Sequence, residues 1–203
     1  MKRNQARTYG ILLVIAFCLA FSWMRKYKQV NDFYKEHTIK NEIFYPANNN
    51  VKFDDDFLTL SENAKGHEIC VNKFEIIDYS DVEIDWQFAE ERVSTPPDRL
   101  LLIDVTLRNI DGPTSNIDIS NFFLFGNDSN PQIDYEVLCK LNPEIQSDSF
   151  YVSIPQGTEQ NFILPYMLFK ENYRLSTWRA MDHYPFYLQI TAFPNTKFIC
   201  LNN

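Results

Sequence analysis

Glycine is scarce in this sequence, five among 203 residues, and no repeat or low-complexity tract accompanies it. Collagen-like and linker-like architectures are thereby excluded. Histidine is scarcer still, and none of His37, His67 and His183 stands beside a G-x-S-x-G elbow, an H-E-x-x-H pair or a glycine-rich phosphate loop. No histidine general base is set up. Cysteine is present four times but never as C-x-x-C or at another metal-ligand spacing, which argues against zinc. The expectation is a non-enzyme with no catalytic residue and no cofactor.

What the sequence does hold is apolar and aromatic material, 45% and 15% of its residues, enough to bury a core and too much for a disordered protein. Its length suits one domain with an attachment. The formal charge of −8 is an average over two unlike regions. Residues 1–28 carry Lys2, Arg3, Arg7, Arg25, Lys26 and Lys28 with no acid, which leaves 13 basic against 27 acidic side chains in the remainder, a balance of −14. Such a surface repels phosphate backbones and anionic headgroups, so no nucleic acid is expected as partner. Basic protein patches, cationic peptides and metal ions are the partners it attracts.

The basic N-terminus precedes an apolar run from Tyr9 to Met24, the order of an n-region and an h-region. The run is sixteen residues, short of the roughly 20 that span a bilayer comfortably, though the stems of Arg7, Arg25 and Lys26 can extend it. A single-pass transmembrane signal anchor over residues 1–28 is the preferred reading, because Trp23 and the following basic cluster resemble an interfacial stop. Ala20-Phe21-Ser22 keeps a cleaved signal peptide open as the alternative. Cys18 follows the bulky Phe17, which disfavours lipidation. Everything after the run is expected outside the cell membrane. Residues 29–50 read as a polar spacer, and residues 51–203 as the domain.

In that domain apolar residues recur in short runs bounded by Asn, Asp, Pro and Gly. Strands are expected near Phe57–Leu60, Ile69–Tyr79, Val82–Phe88, Leu100–Asn109, Phe122–Phe125, Tyr135–Leu141, Phe150–Ile154, Gln160–Leu164, Phe186–Ala192 and Lys197–Leu201. The clearest alternation puts Leu101, Ile103, Val105 and Leu107 on one face, and Leu188 and Ile190 repeat it. Pro155-Gln156-Gly157-Thr158 predicts a hairpin turn. Only Lys170 to Met181 reads as helical. The fold class is all-β, a sandwich.

The order Glu68-Ile69-Cys70-Val71-Asn72, then Leu101-Leu102-Ile103-Asp104-Val105-Thr106-Leu107-Arg108-Asn109, then Asn121-Phe122-Phe123-Leu124 and a Pro-Gln-Gly turn resembles the telokin-like, immunoglobulin-like extracytoplasmic domains of Gram-positive bacteria. The whole sequence resembles uncharacterised single-pass proteins of Firmicutes, with Ile163-Leu164-Pro165-Tyr166 and Phe186-Tyr187-Leu188 as matching C-terminal elements. The resemblance implies an immunoglobulin-like β-sandwich behind a membrane anchor, and no activity.

Two sets of residues are candidates for binding. Asp81, Glu83 and Asp85 alternate with Val82, Ile84 and Trp86, so a strand would stack three carboxylates as a cation site or, more simply, as a solvated face that deters edge pairing. Tyr173, Arg174, Trp178 and Arg179 mix aromatic rings with arginine, the composition of an interface hot spot, or else plug the open end of the sandwich. Cys70, Cys139 and Cys200 leave open one disulfide or three buried thiols. The functional expectation is a non-catalytic interaction module of the cell envelope whose partner is another envelope protein or a cationic ligand. A cation- or carbohydrate-binding module is the alternative, and an envelope hydrolase comes behind both.

Overall fold

The computed structural model describes residues 16–28, 41–59, 64–82, 96–113, 116–145 and 150–201, in two units, Met1–Thr38 and Ile39–Asn203. In the first unit residues 16–28 are helical and exposed throughout, with the Trp23 and Tyr27 rings stacked 5.3 Å apart one turn from each other. Among the described residues no helix is long and apolar enough to cross a membrane. The expected transmembrane anchor is therefore not supported there. The first part of its apolar run, up to residue 15, lies outside the described residues.

Among the described residues the second unit contains ten strands: β1 (Asn41–Pro46), β2 (Val51–Lys52), β3 (His67–Asp78), β4 (Arg99–Asn109), β5 (Asn116–Asp118), β6 (Phe123–Gly126), β7 (Tyr151–Ser153), β8 (Glu159–Leu168), β9 (Phe186–Thr191) and β10 (Asn195–Leu201). They form one sheet in the order β1-β10-β9-β6, a second in the order β2-β3-β4-β8, and a small β5-β7 pair. All pairings are antiparallel except β1 with β10, the first and last strands. Leu101, Ile103, Val105 and Leu107 of β4 face Leu188, Ile190 and Ile199 of the other sheet in one fully buried cluster. The period of two thus becomes a two-sheet β-sandwich, and at that level the expected fold class is met.

Four expectations are corrected. Tyr135–Leu141 is a helix, α1, because Asp134 accepts from the backbone N–H groups of Glu136 and Val137, both at 3.1 Å, and so caps its first turn. Val137 then packs with Leu100, Tyr79, Leu102 and Met167 on the outside of the second sheet. The Lys170–Met181 stretch is broken into a turn at Lys170–Asn172, α2 (Leu175–Arg179) and a turn at Met181–His183. Part of the expected spacer is sheet, since β1 lies within residues 29–50 and pairs with β10 along its full length. Finally, Pro155–Thr158 turns as expected, with Gly157 at φ 76°, but joins β7 and β8 in different sheets and so makes no hairpin. Beyond Val82, the expected Val82–Phe88 strand lies outside the described residues, and Phe57 makes only an isolated bridge to Phe193.

The asparagine that ends β4 holds this corner. Asn109 is fully buried, donates to the carbonyl of Ile154 at 2.8 Å and accepts from the N–H of Gly112 at 2.9 Å. Its backbone meets Thr158 and Gly157. Gly112 in turn passes Gly66 (φ 83°) so closely that a Cβ on either would come within 2.3 Å of the opposing backbone.

A second polar tie joins the two sheets. Lys197 lies on the core side of β10, its side chain 3% exposed, and its ammonium meets Asp56 and Asp54 at 2.7 Å each. It also donates to the carbonyls of Lys52 at 2.6 Å and Phe53 at 3.2 Å, at the end of β2. Asp56 uses its other oxygen to accept from the backbone and side-chain N–H of Asn195. Burial alone would lower the Lys197 ammonium, but Asp54 and Asp56 reverse this and hold it above its ordinary value.

Ile103→Ala should cost roughly 2–5 kcal/mol by lost transfer energy plus cavity. Lys197→Met should cost about 3–5 kcal/mol, because Asp56 is left buried without its cation. Urea unfolding of the two variants measures both, and a Lys197→Met midpoint equal to wild type would contradict the second.

Candidate functional site

The aromatic residues singled out above are brought together, but inside the fold. Trp178 on α2 and Tyr173 just before it are buried, their rings 5.9 Å apart. Tyr184 and Phe186 continue the stack at 5.7 and 4.7 Å. The guanidinium of Arg99 lies 4.9 Å from the Trp178 ring centre, and the same side chain donates to Asp78 at 3.1 Å. The Ser129 hydroxyl meets the Tyr173 hydroxyl at 2.6 Å, and the Asp128 N–H donates to Tyr184. Burial pushes the Tyr173 phenol up to about 12 and raises that of Tyr184. Arg174 and Arg179 are exposed and make none of these contacts. The rings pack within the fold while the two arginines stand apart from them.

Of the carboxylate set, Asp81 lies exposed in the turn after β3, while Glu83 and Asp85 lie outside the described residues. Asp78, which could have joined them, is engaged by Arg99. Among the described residues no group of three His, Cys, Asp or Glu is placed to hold a metal ion. His67 is buried with Nδ1 3.2 Å from the carbonyl of Ala64, and its Nε2 has no hydrogen-bond partner among the described residues.

All four cysteines are free. Cys70 falls between buried Ile69 and Val71, so it points to the outside of the second sheet, and Cys200 falls between buried Ile199 and Leu201, so it points to the outside of the first. The core separates them. A Cys70–Cys200 disulfide is therefore precluded by the pleat, and burial raises both thiols above their ordinary value.

The surface that departs most from an ordinary sheet is the outer face of β1-β10-β9-β6. Register aligns Phe123 with Gln189, Gln189 with Phe198, and Phe198 with Phe44, one row across all four strands. The next row is Phe125, Tyr187, Cys200 and Pro46. Leu124 and Leu188 between these rows are buried, which fixes the rows as outward-facing. Phe44 stacks on Phe198 at 5.1 Å with planes 13° apart, and Tyr187 and Phe125 meet them edge-on at 5.8 and 6.0 Å. Phe44 and Phe123 are nevertheless 53% and 51% exposed. Five aromatic rings tile a face that carries no charge in these two rows.

This face was missed in the sequence because its members are scattered from residue 44 to residue 198. One local sign existed. Phe122-Phe123-Leu124-Phe125 is apolar at both parities, so any strand through it must leave rings outside.

A family described as Domain of unknown function (DUF5028) matches residues 42–197, from β1 to β10. No curated protein matches the sequence. Among solved structures, the yjhA protein from Bacillus subtilis is 12% identical, with a TM-score of 0.43 over 78% of this protein and 99% of its own length. The ycdA protein of Bacillus subtilis subsp. subtilis str. 168, provisionally described as a lipoprotein, is 14% identical with a TM-score of 0.40. That match covers 71% of this protein and 39% of ycdA, so the two share well under half of the latter's length.

Trp178→Ala should cost roughly 3–5 kcal/mol, as expected for a large core ring. The raised phenols and the Lys197 ammonium ionise near pH 10 in the unfolded state and later in the fold. Their contribution is complete below pH 10 and is lost as pH climbs through the raised values. Melting temperature should therefore fall between about pH 10 and 12, and less steeply in Tyr173→Phe. Equal slopes in the two proteins would remove Tyr173 from that account.

Proposed function

This protein belongs to the DUF5028 family of domains of unknown function, and from that premise we propose a non-catalytic interaction module that binds another envelope protein through the aromatic face of the first sheet. The observation that carries the reading is the uncharged pair of rows with Phe44 and Phe123 half-exposed. Exposed apolar area of this kind is costly in water and marks surfaces that become covered. Aromatic rings are also the side chains that concentrate binding energy at protein interfaces.

The partner is a basic protein rather than a second copy. Residues 29–203 carry 13 basic against 27 acidic side chains, so two copies repel each other while a basic rim is drawn in. The module sits outside the cell membrane, held by the N-terminal segment, a reading that rests on the basic flanks and apolar run of residues 1–28.

The test compares wild type with Phe44→Ser/Phe123→Ser in capture from detergent extracts of the envelope. Each replacement removes at most about 1 kcal/mol of cross-strand contact, so the variant should melt within a few degrees of wild type. A basic protein retained by wild type and lost with the variant supports the reading. Equal retention by both overturns the face, and retention of purified wall glycan alone overturns the protein partner. Protease added to wall-less cells should digest the sandwich, and full protection would contradict the location.

A further inference from the structure

We propose that the edge of β3 from Lys73 to Asp78 is a second docking site, which takes up an extended, lysine- or arginine-bearing peptide strand as an added member of the second sheet. β3 is twelve residues long, yet its neighbour β2 pairs with it only at Glu68 and Ile69. On its other side β4 pairs with it from end to end. Among the described residues the last backbone partner on the β2 side is Asn48, whose N–H donates to the carbonyl of Val71. Beyond that point the ladder has no described partner on this side, and alternate N–H and C=O groups of Lys73–Asp78 face outward.

A cavity of about 250 Å³ adjoins this edge. Its wall includes Phe74, Glu75 and Ile76 in succession. Phe74 and Ile76 pair with the core residues Ile103 and Leu101 and so turn their side chains inward, with the backbone of Glu75 between them. The floor is apolar, made of Leu101 from the core and Met181 and Phe186 from the far side. Phe74 and Ile76 are the partly buried members of the core next to it. A strand laid along β3 would put every second side chain over this floor.

The rim says what kind of strand. Asp182 stands exposed at the mouth with no ion-pair partner among the described residues, and Glu75 lies at the edge itself. Lys73 is already balanced by Glu75 at 3.0 Å. The uncompensated charge is thus negative, as is the whole domain, which favours a basic peptide and disfavours pairing of β3 with its copy. The site is on the opposite sheet from the aromatic face, so the two stand or fail separately.

Amide hydrogen exchange on the full-length protein tests this, with a synthetic decapeptide of alternating valine and lysine as probe and the same peptide carrying central prolines as control. In the free protein the outward amides of Lys73–Ile77 should exchange far faster than those of Leu101–Val105. The probe should slow them about tenfold or more, the proline control should not, and Asp182→Lys should weaken the effect. Phe44→Ser/Phe123→Ser should leave it unchanged. Edge amides already as protected as those of β4 would show that the protein itself covers the edge and would overturn the proposal. No slowing at saturating probe would overturn it too.

Discussion

At one end of the sandwich a single buried ammonium group ties the two sheets together. Lys197 enters the core side of β10 where an apolar residue would continue the row of Ile199 and Leu201, and four oxygens from Lys52, Phe53, Asp54 and Asp56 surround it. A buried charge is tolerable only when matched, and here Asp56 supplies the match while also receiving both N–H groups of Asn195. The segment from Lys52 to Asp56 is consequently fastened to the strand that pairs with β1 on one side and β9 on the other. Phe57 extends the fastening by exchanging backbone hydrogen bonds with Ala192 and Phe193. Remove the cation, and the apolar faces lose the contact that sets them against each other at this end.

Asn109 performs the neutral counterpart of that task. It is buried, satisfies both ends of its amide and gathers the Gly66, Gly112 and Pro155–Thr158 turns around the end of β4. The remaining end of the sandwich is closed by rings, Trp178, Tyr173, Tyr184 and Phe186. With the ends so occupied, the surfaces left for recognition are the outer faces and the strand edges. On the second sheet α1 covers part of the outer face, and a polar ladder of Asn72, Thr106 and Asn161 occupies another part. On the first sheet the outer face carries rings.

That division explains why a protein without a histidine constellation or metal spacing still has features beyond stability. Core rings are expected in any sandwich, but stability does not require Phe44 and Phe123 to stand in water. An edge such as Lys73–Asp78, lined with an apolar floor, is likewise something natural sheets usually cover or blunt. Both features are the ones on which the proposed partners are placed.

Local patterns were enough for the strand content and the main buried rows. A period of two over Leu101–Leu107 and at Leu188 and Ile190 can hide its apolar side only in a sheet, and that inference needs no tertiary partner. Charge was legible on the same terms, since it is a count. The helix at Tyr135–Leu141 had its sign in Asp134, the cap, but the apolar residues inside it also suit a strand. The assembly decided the rest. Whether Trp178 is plug or patch depends on which sheet end it meets, and Phe44 and Phe198 share a face only because first and last strands pair in parallel. Those neighbours are 154 residues apart. Pattern rules act over a few residues, whereas exposure, edge pairing and the company kept by a lysine are set by strand order, which long-range packing alone selects.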